Sequence, residues 1–505
     1  AFSGEKIAKA HQMGPYLNFF LDRESFARDI IEGVIASEGK WGASESGKGK
    51  TVCLDYSSIN IAKRFHIGHL STTVIGAALA RIYEFQGWKA VRINHLGDWG
   101  TQFGKMIAAY KHWGSKEQIE KGGVQALSDL YVRFHKEAEN NPALEDEGRL
   151  WFKKIEDGDE EALEIFNNFK ELTLKDAAKV YELLNVDFDS YAGESFYNDK
   201  MQPVIDELRA KNLLEESDGA FVVKLDGEND KPKLPPCLIL KSDGASLYAT
   251  RDLAAALYRK QTYNFDKCLY VVAYQQDLHF RQLFRVLKKM GYAFADNMEH
   301  VAFGMVSYEG EALSTRKGNI IYLEDLLRRS QEKALKIIEE KSPNMENKEL
   351  AARQIGIGSV IFSVLFNNRI KDIDFWWDRA LSFDGETAPY VQYTATRCLS
   401  VLQKGKDIAA EPDYSCLSSD CSQQLLLSIN AFKEAVVDAL ERNEPYLVTR
   451  AIVQIAKNYN KFYYEERIIS DNASETKARL LLSRATREVI LTGLKLLGIE
   501  APDKM

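Results

Sequence analysis

The stretch that decides the fold is Thr51-Val-Cys-Leu-Asp-Tyr-Ser-Ser-Ile-Asn-Ile-Ala-Lys-Arg-Phe-His-Ile-Gly-His69. Its apolar start predicts a β-strand, and the apolar residues that recur with helical spacing over 70–83 predict an α-helix. The tetrapeptide 66–69 falls in the turn between them. There Gly68 lets a ligand approach the backbone, and the helix N-terminus offers free N–H groups and a positive dipole end. The imidazoles of His66 and His69 can donate hydrogen bonds to phosphate oxygens, so this turn is predicted to bind a nucleoside triphosphate.

The strand–helix–strand pattern continues on both sides of the turn. A second strand is predicted at 90–94 and two more at 268–273 and 300–303, beyond a helical and mixed insertion at about 111–240. Such spacing predicts a doubly wound, parallel, Rossmann-like sheet. From about Asn347 onward nearly everything has helical patterning. The predicted fold class is therefore α/β with a helical insertion, followed by an all-α region.

Composition excludes several classes of protein. A chain of 505 residues is longer than the roughly 250–300 residues that one core usually holds, which predicts more than one domain. No apolar run is long enough to span a bilayer, and the N-terminus lacks the pattern of a signal peptide. The six cysteines form no CxxC pair, which argues against a zinc knuckle and favours a cytoplasmic location. The net charge of −8 does not indicate nucleic-acid binding, although a local basic face can still bind RNA.

A second candidate motif is Ala312-Leu-Ser-Thr-Arg-Lys-Gly-Asn319, predicted to be a loop between a strand at 302–306 and a helix from Leu323. The adjacent cations Arg316 and Lys317 could close over a leaving pyrophosphate and neutralise its charge. Such a string is by itself more often a solvated turn. Its occurrence downstream of the histidine turn makes the combination specific.

Together these two motifs resemble the signatures of class I aminoacyl-tRNA synthetases, and further segments resemble the arginyl-tRNA synthetase family. The resemblance covers about 14–505. The further segments are Tyr56-Ser-Ser-Ile-Asn-Ile-Ala-Lys63, Asn94-His-Leu-Gly-Asp-Trp-Gly-Thr-Gln-Phe-Gly104, Tyr248-Ala-Thr-Arg-Asp252, Gln275-Gln-Asp-Leu-His279 and Tyr390-Val-Gln-Tyr393. The resemblance implies an arginine–tRNA ligase, which forms arginyl-adenylate from L-arginine and ATP, with Mg²⁺ accompanying the ATP. It implies transfer of the arginyl group to the terminal adenosine of tRNA(Arg).

The resemblance also implies domain boundaries. Residues 1–40 are expected to be the remnant of an N-terminal tRNA-contacting domain, and 41–379 the catalytic domain. Residues 380–505 are expected to form a DALR-type anticodon-binding domain. A monomer with no membrane partner is expected.

Roles for single residues follow from the same resemblance. The carboxylate of Asp252 is the best candidate partner for a guanidinium, which favours forked, charge-assisted hydrogen bonds. Asp55 stands where the family often carries Glu. The residues expected to bind arginine are Asp55, Asn60, Tyr248, Asp252 and Gln276. The residues expected to bind ATP include Gly68 and Thr315. Asp277 and His279 are expected near the ribose, and the backbone near Met305 is expected at the adenine. Those expected to contact tRNA are Tyr390, Tyr463 and Met505.

One departure from the family pattern concerns the second motif. The second lysine of the KMSKS-type loop aligns with Thr315, and Arg316 and Lys317 stand one position along. A missing phosphate-binding cation must be replaced. Lys63, just before the histidine turn, is the hypothesised replacement, so the expected catalytic residues are His66, His69, Lys63, Arg316 and Lys317.

Two alternatives remain open at this point. One is a small-molecule nucleotidyl transferase with an HxGH motif, although such enzymes are usually much shorter and lack a helical C-terminal domain. The other is a catalytically inactive paralogue that only binds tRNA. The degenerate second motif is its only support, and the presence of His66, His69, Asp252 and Gln276 argues against it.

Overall fold

The computed structural model describes residues 6–225, 233–241, 248–312 and 321–505. An exposed antiparallel hairpin comes first, formed by β1 (Ile7–Met13) and β2 (Tyr16–Leu21). Helix α1 (Arg23–Ala36) follows, and its N-cap Asp22 accepts a hydrogen bond from the backbone N–H of Ser25. The buried face of α1 lies against the C-terminal helices, not against the central sheet. Within the described ranges, no helix combines the length and apolarity needed to cross a bilayer.

The central α/β unit begins with β3 (Thr51–Asp55), α2 (Leu70–Phe85) and β4 (Lys89–Ile93). Helix α2 is buried on almost every face because it lies between the sheet and the C-terminal helices. Gly76 makes this packing possible, since a Cβ there would lie 2.2 Å from Cγ of the buried Tyr56.

A helical and mixed insertion follows β4, as the sequence predicted. Helix α4 bends at Gly123, which has a φ of 55°. The strands of the insertion form a small antiparallel sheet in the order β5-β6-β7. The elements are α3 (Thr101–Trp113), α4 (Lys116–Ala138), α5 (Ala143–Asp157), α6 (Glu160–Leu184), α7 (Met201–Ala210), β5 (Glu215–Ser217), β6 (Ala220–Val223) and β7 (Cys237–Leu240).

The chain returns to the central sheet through α8 (Tyr248–Tyr263), β8 (Lys267–Tyr270), α9 (Asp277–Lys289) and β9 (Met298–His300). The sheet is parallel throughout and has the strand order β4-β3-β8-β9. The first connection runs from β3 to β4 on one side of β3, and the next runs from β4 back to β8 on the other side. This reversal places a topological switch point between β3 and β8. Open parallel sheets bind ligands at that point, beyond the carboxyl ends of the strands. The predicted doubly wound sheet is confirmed.

Past β9 the structure corrects two predicted strands. The strand predicted at 300–303 is β9, which ends at His300, and the one predicted at 302–306 is β10 (Val306–Tyr308), which belongs to a separate sheet. There β10 pairs antiparallel with β11 (Glu311–Ala312) and parallel with β12 (Ile373–Phe375). The sequence predicted helix where β12 lies, because a three-residue strand is too short to show a period.

The remainder of the chain is helical. Helices α10 (Leu323–Lys341) and α11 (Lys348–Leu365) and the short α12 (Trp377–Ala380) pack on the α/β unit. The helical domain consists of α13 (Ala388–Lys404), α14 (Asp420–Glu441), α15 (Tyr446–Glu465) and α16 (Ala473–Leu497). Its apolar core is continuous with that of α2 and α11.

Candidate active site

The approach to the histidine turn is conformationally strained. Ser57, Ser58 and Ala62 have φ values of 70°, 45° and 61°, a region that residues with a Cβ rarely adopt. Neighbouring hydroxyl groups hold these residues in place. Thr72 Oγ1 accepts from the Ser57 N–H at 3.0 Å, and Thr173 Oγ1 accepts from the Ala62 N–H at 3.0 Å. Strain that surrounding contacts impose in this way is typical of functional sites.

The HIGH turn, residues 66–69, presents two neutral imidazoles. His66 Nδ1 accepts a hydrogen bond from the Gly68 N–H at 3.1 Å, so Nε2 carries the proton and is free to donate. Burial, with the charge of Lys63, lowers the pKa of His66. Burial and the charge of His66 lower the pKa of His69 to about 3. A Cβ at Gly68 would lie 2.8 Å from Cε1 of His66, so glycine is needed to keep the ring in this position.

The segment that follows the second motif pairs with the residues of the HIGH turn in a short antiparallel arrangement. The Ile67 N–H donates to the Ile321 carbonyl at 2.9 Å, and the Leu323 N–H donates to the Phe65 carbonyl at 2.9 Å. The Arg64 guanidinium covers the Tyr322 ring at 3.5 Å. Ile321 and Leu323 therefore lie directly against the HIGH turn. Its predicted site residues Thr315, Arg316 and Lys317 lie outside the described residues.

Asp252 is the fifth residue of α8 and keeps an ionised carboxylate. Its Oδ2 accepts from His279 Nε2 at 2.7 Å, and its Oδ1 lies 3.9 Å from His95 Nε2. Burial alone would raise the pKa of Asp252, but the hydrogen bond from His279 and the charges of His279, His95 and Arg259 lower it. The structure thus places His279, which was expected near a ribose, directly against the expected guanidinium partner.

The carboxylate of Asp55 is engaged by two groups of the protein. Its Oδ2 contacts a terminal guanidinium nitrogen of Arg259 at 2.7 Å, and its Oδ1 accepts from Ser58 Oγ at 3.0 Å. The Arg259 side chain is 1% exposed and also donates to His95 Nδ1 at 3.3 Å. A guanidinium can only donate, so the His95 Nε2 carries the proton and faces Asp252. Asp55 thus positions Arg259 and Ser58, and its contact with a substrate guanidinium stays a prediction.

These contacts form a polar chain that is buried at Asp55 and Arg259 and half-buried at His95, Asp252 and His279. Sequence reasoning missed Arg259 and His95. A signal for Arg259 existed, because it stands seven residues after Asp252 on α8 and so lies on the same helix face.

Glu194 is a further acid that sequence reasoning missed. It begins the 3₁₀ helix Glu194–Lys200, and its N–H donates to the Leu96 carbonyl at 2.9 Å. Burial, with the charges of Asp252 and Asp98 opposed by Arg251, raises its pKa to about 7. A perturbed carboxyl beside a second carboxylate in a crevice is a functional-site signal. No spacing in the sequence points to Glu194, because it comes from the end of the insertion.

The buried Asp98 holds Glu194 in place. Its carboxylate accepts from the Ser195 N–H at 2.8 Å, from Ser195 Oγ at 2.7 Å and from Lys170 Nζ at 2.7 Å. The loop after β4 is thereby tied to the segment that follows the insertion.

The other predicted small-molecule residues line the same edge of the sheet. Asn60 forms an isolated bridge with Gly97, and Gln276 lies exposed in the turn before α9. Asp277 opens α9, and Tyr248 opens α8 with 72% of its surface exposed.

The backbone of Met305 is hydrogen-bonded within the chain, since its N–H donates to Asp372 Oδ1 at 2.7 Å and its carbonyl accepts from the Ile373 N–H at 2.8 Å. Both polar groups of the backbone are thus used within the chain. The contact of this backbone with adenine stays a prediction. The partly exposed side chain of Met305 remains available for contact with a ligand.

The residues expected at tRNA differ in their exposure to solvent. Tyr463 is 39% exposed and stacks against Arg397, which also lies 4.8 Å from the Tyr393 ring. Tyr390 and Met505 are instead partly buried against the apolar core.

Replacing Arg259 by Met should lower the free energy of unfolding by about 3–5 kcal/mol, because it leaves the buried Asp55 carboxylate without its cation. The paired Asp55→Asn/Arg259→Met variant should recover most of this loss. Urea denaturation measures both. Arg281→Met, which breaks an exposed 3.7 Å pair with Asp277, is the control and should cost under about 1 kcal/mol. Equal losses of unfolding free energy in the single and the paired variants would contradict the assignment of Arg259 as the cation that Asp55 needs.

Comparison with known proteins places the chain in a family. Residues 30–377 match the model for the catalytic domain of class I (R) tRNA synthetases, and residues 391–505 match the DALR anticodon-binding domain. The arginine–tRNA ligase of Alkaliphilus metalliredigens is 51% identical over 502 residues, with 99% of this chain and 88% of that protein covered. That of Clostridioides difficile is 51% identical over 504 residues, with 100% and 88% covered.

Solved structures agree with this result. The arginyl-tRNA synthetase of Thermus thermophilus superposes with a TM-score of 0.85 at 26% identity, covering 100% of this chain and 89% of that one. The Plasmodium falciparum enzyme gives 0.80 at 23% identity, covering 100% and 87%, and so supports the fold alone. The chain therefore belongs to the arginyl-tRNA synthetase family of class I tRNA synthetases and combines that catalytic domain with a DALR anticodon-binding domain.

Proposed function

We propose that this protein is an arginine–tRNA ligase that activates L-arginine with ATP and transfers it to tRNA(Arg). The observation that carries the proposal is the ionised Asp252, whose polar contacts run through His95 and Arg259 to Asp55, at the end of the strand that leads to the HIGH turn. A half-buried anion there provides a charge-assisted partner for a guanidinium, and Glu194 adds a second carboxyl.

In the first step, a carboxylate oxygen of arginine attacks the α-phosphorus of ATP. The new carboxylate–phosphorus bond forms as the bond to the bridging oxygen of pyrophosphate breaks, which gives arginyl-adenylate and pyrophosphate. His66 and His69 donate N–H groups to phosphate oxygens as charge develops on them. Because both rings stay neutral, they act as dipoles and need no proton transfer.

In the second step, a hydroxyl of the terminal tRNA adenosine attacks the carbonyl carbon of the adenylate. AMP leaves, and the hydroxyl proton is released to the surroundings. The residues need only align the reactants, which supplies much of the rate in such transfers.

Mg²⁺ would enter with ATP as part of the substrate. Within the described ranges, no group of three or more His, Cys, Asp or Glu residues is arranged to hold a metal ion. An Mg²⁺ ion that is bound mainly through phosphates and water does not need such a group. A cytoplasmic location and a monomeric state remain predictions from the sequence.

On the helical domain, Tyr393, Arg397 and Tyr463 form a partly exposed stack of two rings around a guanidinium. Bases of single-stranded RNA stack on such groups, so this surface is the best candidate for anticodon contact. Tyr390 and Met505 would support it from the core side.

The function predicts that, with ATP present, arginine alone among labelled amino acids becomes attached to total tRNA. Asp252→Asn should raise the KM for arginine by about 10–100-fold, since a hydrogen bond to a charged group contributes about 1.5–3 kcal/mol. Charging by another amino acid would contradict the assignment to arginine. Binding of tRNA without any charging would favour the inactive paralogue.

Lys63→Ala should slow pyrophosphate exchange by about 10²–10³-fold at saturating ATP, if Lys63 supplies the missing phosphate-binding cation. Lys63 is exposed, and its charge contributes to lowering the pKa of both histidines of the HIGH turn. Lys48→Ala, at an exposed lysine whose partner Glu45 lies in the same loop, is the control. An unchanged rate in the Lys63 variant would assign the phosphate contact to another group.

The affinity for arginine should depend on pH through Glu194. Its raised pKa of about 7 keeps much of the carboxyl neutral near pH 6, whereas the pKa of Asp252 is lowered and that residue stays ionised. The KM for arginine should therefore fall as pH rises from about 6 to 8. The ratio of KM between Glu194→Gln and the unchanged protein should grow over the same interval, while the exposed Glu164→Gln gives a constant ratio. A pH-independent ratio for Glu194→Gln would show that this carboxyl does not meet the substrate.

A further inference from the structure

Arg369, in the segment between α11 and β12, joins the helical domain to the α/β unit. Its Nε donates to the Asn443 carbonyl at 3.1 Å and lies 3.6 Å from Glu444 Oε1. The Nη1 atom of Arg369 donates to the Ala302 carbonyl. The Arg369 side chain is 17% exposed and that of Glu444 is 10% exposed, so this contact is largely shielded from water.

The backbone of Arg369 strengthens the same connection. Its N–H donates to Glu444 Oε2 at 3.3 Å, and its carbonyl accepts from the Gly304 N–H at 2.8 Å. A planar guanidinium with fixed donor directions can serve two acceptors on opposite sides, which an ammonium on a flexible stem does poorly.

On one side, Arg369 contacts a loop that borders the candidate active site. Residues 302–305 follow β9, and the Tyr274 N–H donates to the Phe303 carbonyl at 3.0 Å. Ala273 forms a parallel bridge with Phe303. That pairing fixes the turn that leads directly to Gln276, Asp277 and His279.

On the other side, Arg369 contacts the turn between α14 and α15. Asn443 is fully buried there with a φ of 53°, a conformation that asparagine tolerates better than most residues. Its side-chain oxygen accepts from Tyr83 at 2.9 Å, and its side-chain nitrogen donates to Glu299 at 2.9 Å. The turn is thus attached to α2, which begins at the HIGH turn, and to β9.

We propose that Arg369 and Glu444 are positioning residues, through which the placement of the helical domain sets the loop 302–305 and the turn 273–276 of the active site. This inference rests on the proposed function. Neither side chain touches the reactants. Their effect is on the alignment of ATP and arginine, to which rates respond steeply.

The test compares Arg369→Lys and Glu444→Gln with the unchanged protein in charging of full-length tRNA(Arg). Both variants should lower kcat by about 10–100-fold and raise the KM for ATP, with the KM for tRNA within about two-fold of the original. Their effects should be strongly non-additive in the double variant, because the two groups act through one contact. Arg23→Met is the matched control, since it removes an exposed ion pair between α1 and Asp420 of α14 that does not reach the site.

A merely structural role would lower the thermal midpoint and leave the kinetics of the folded fraction unchanged, which would overturn the proposal. Unchanged kcat and KM for ATP in variants with the original thermal midpoint would overturn it too. If Arg369→Lys does not fold, Glu444→Gln decides alone, because glutamine keeps the size of the side chain while it removes the charge and one of the two acceptor oxygens that face Arg369. Failure of the unchanged protein to charge arginine would instead reject the proposed function.

Discussion

The buried ion pair between Asp55 and Arg259 is the interaction on which the geometry of the site depends. It lies where β3 ends and α8 packs over the sheet, with the Arg259 side chain almost completely shielded from water. A buried charge without its partner is strongly destabilising, so each side chain fixes the other. Arg259 then orients His95, and His95 faces Asp252. The proposed binding site for a cationic substrate is thus organised by an arginine that belongs to the protein itself.

The HIGH turn, which is the proposed nucleotide site, relies on neutral hydrogen-bond donors instead of an ion pair. The two imidazoles of the HIGH turn are kept neutral by burial and by nearby positive charge, and a backbone hydrogen bond fixes the tautomer of His66. Neutral donors at a helix N-terminus can stabilise developing negative charge without exchanging protons. The strained backbone before the turn is compatible with this arrangement, because Thr72 and Thr173 bind its N–H groups.

The helical domain is part of the same packed structure. Helix α2 carries the HIGH turn at its start and contacts α11, α14 and α16 along its length. The buried Asn443 bridges α2 and β9, and Arg369 extends that connection to the loop after β9. A displacement of the helical domain would therefore shift both the HIGH turn and the loop after β9.

Local patterning in the sequence determined the parallel sheet, the position of the HIGH turn, the insertion and the helical C-terminal region. These features depend on residues close together in the chain, whose apolar periods follow directly from strand and helix geometry. Only the tertiary structure decided that Asp55 pairs with Arg259, that Glu194 enters the site from the insertion, and that the Met305 backbone is already paired. It also revealed β12, which is too short for a recognisable period. Each of these depends on contacts between residues distant in sequence, where packing and burial, rather than local propensity, select the partner.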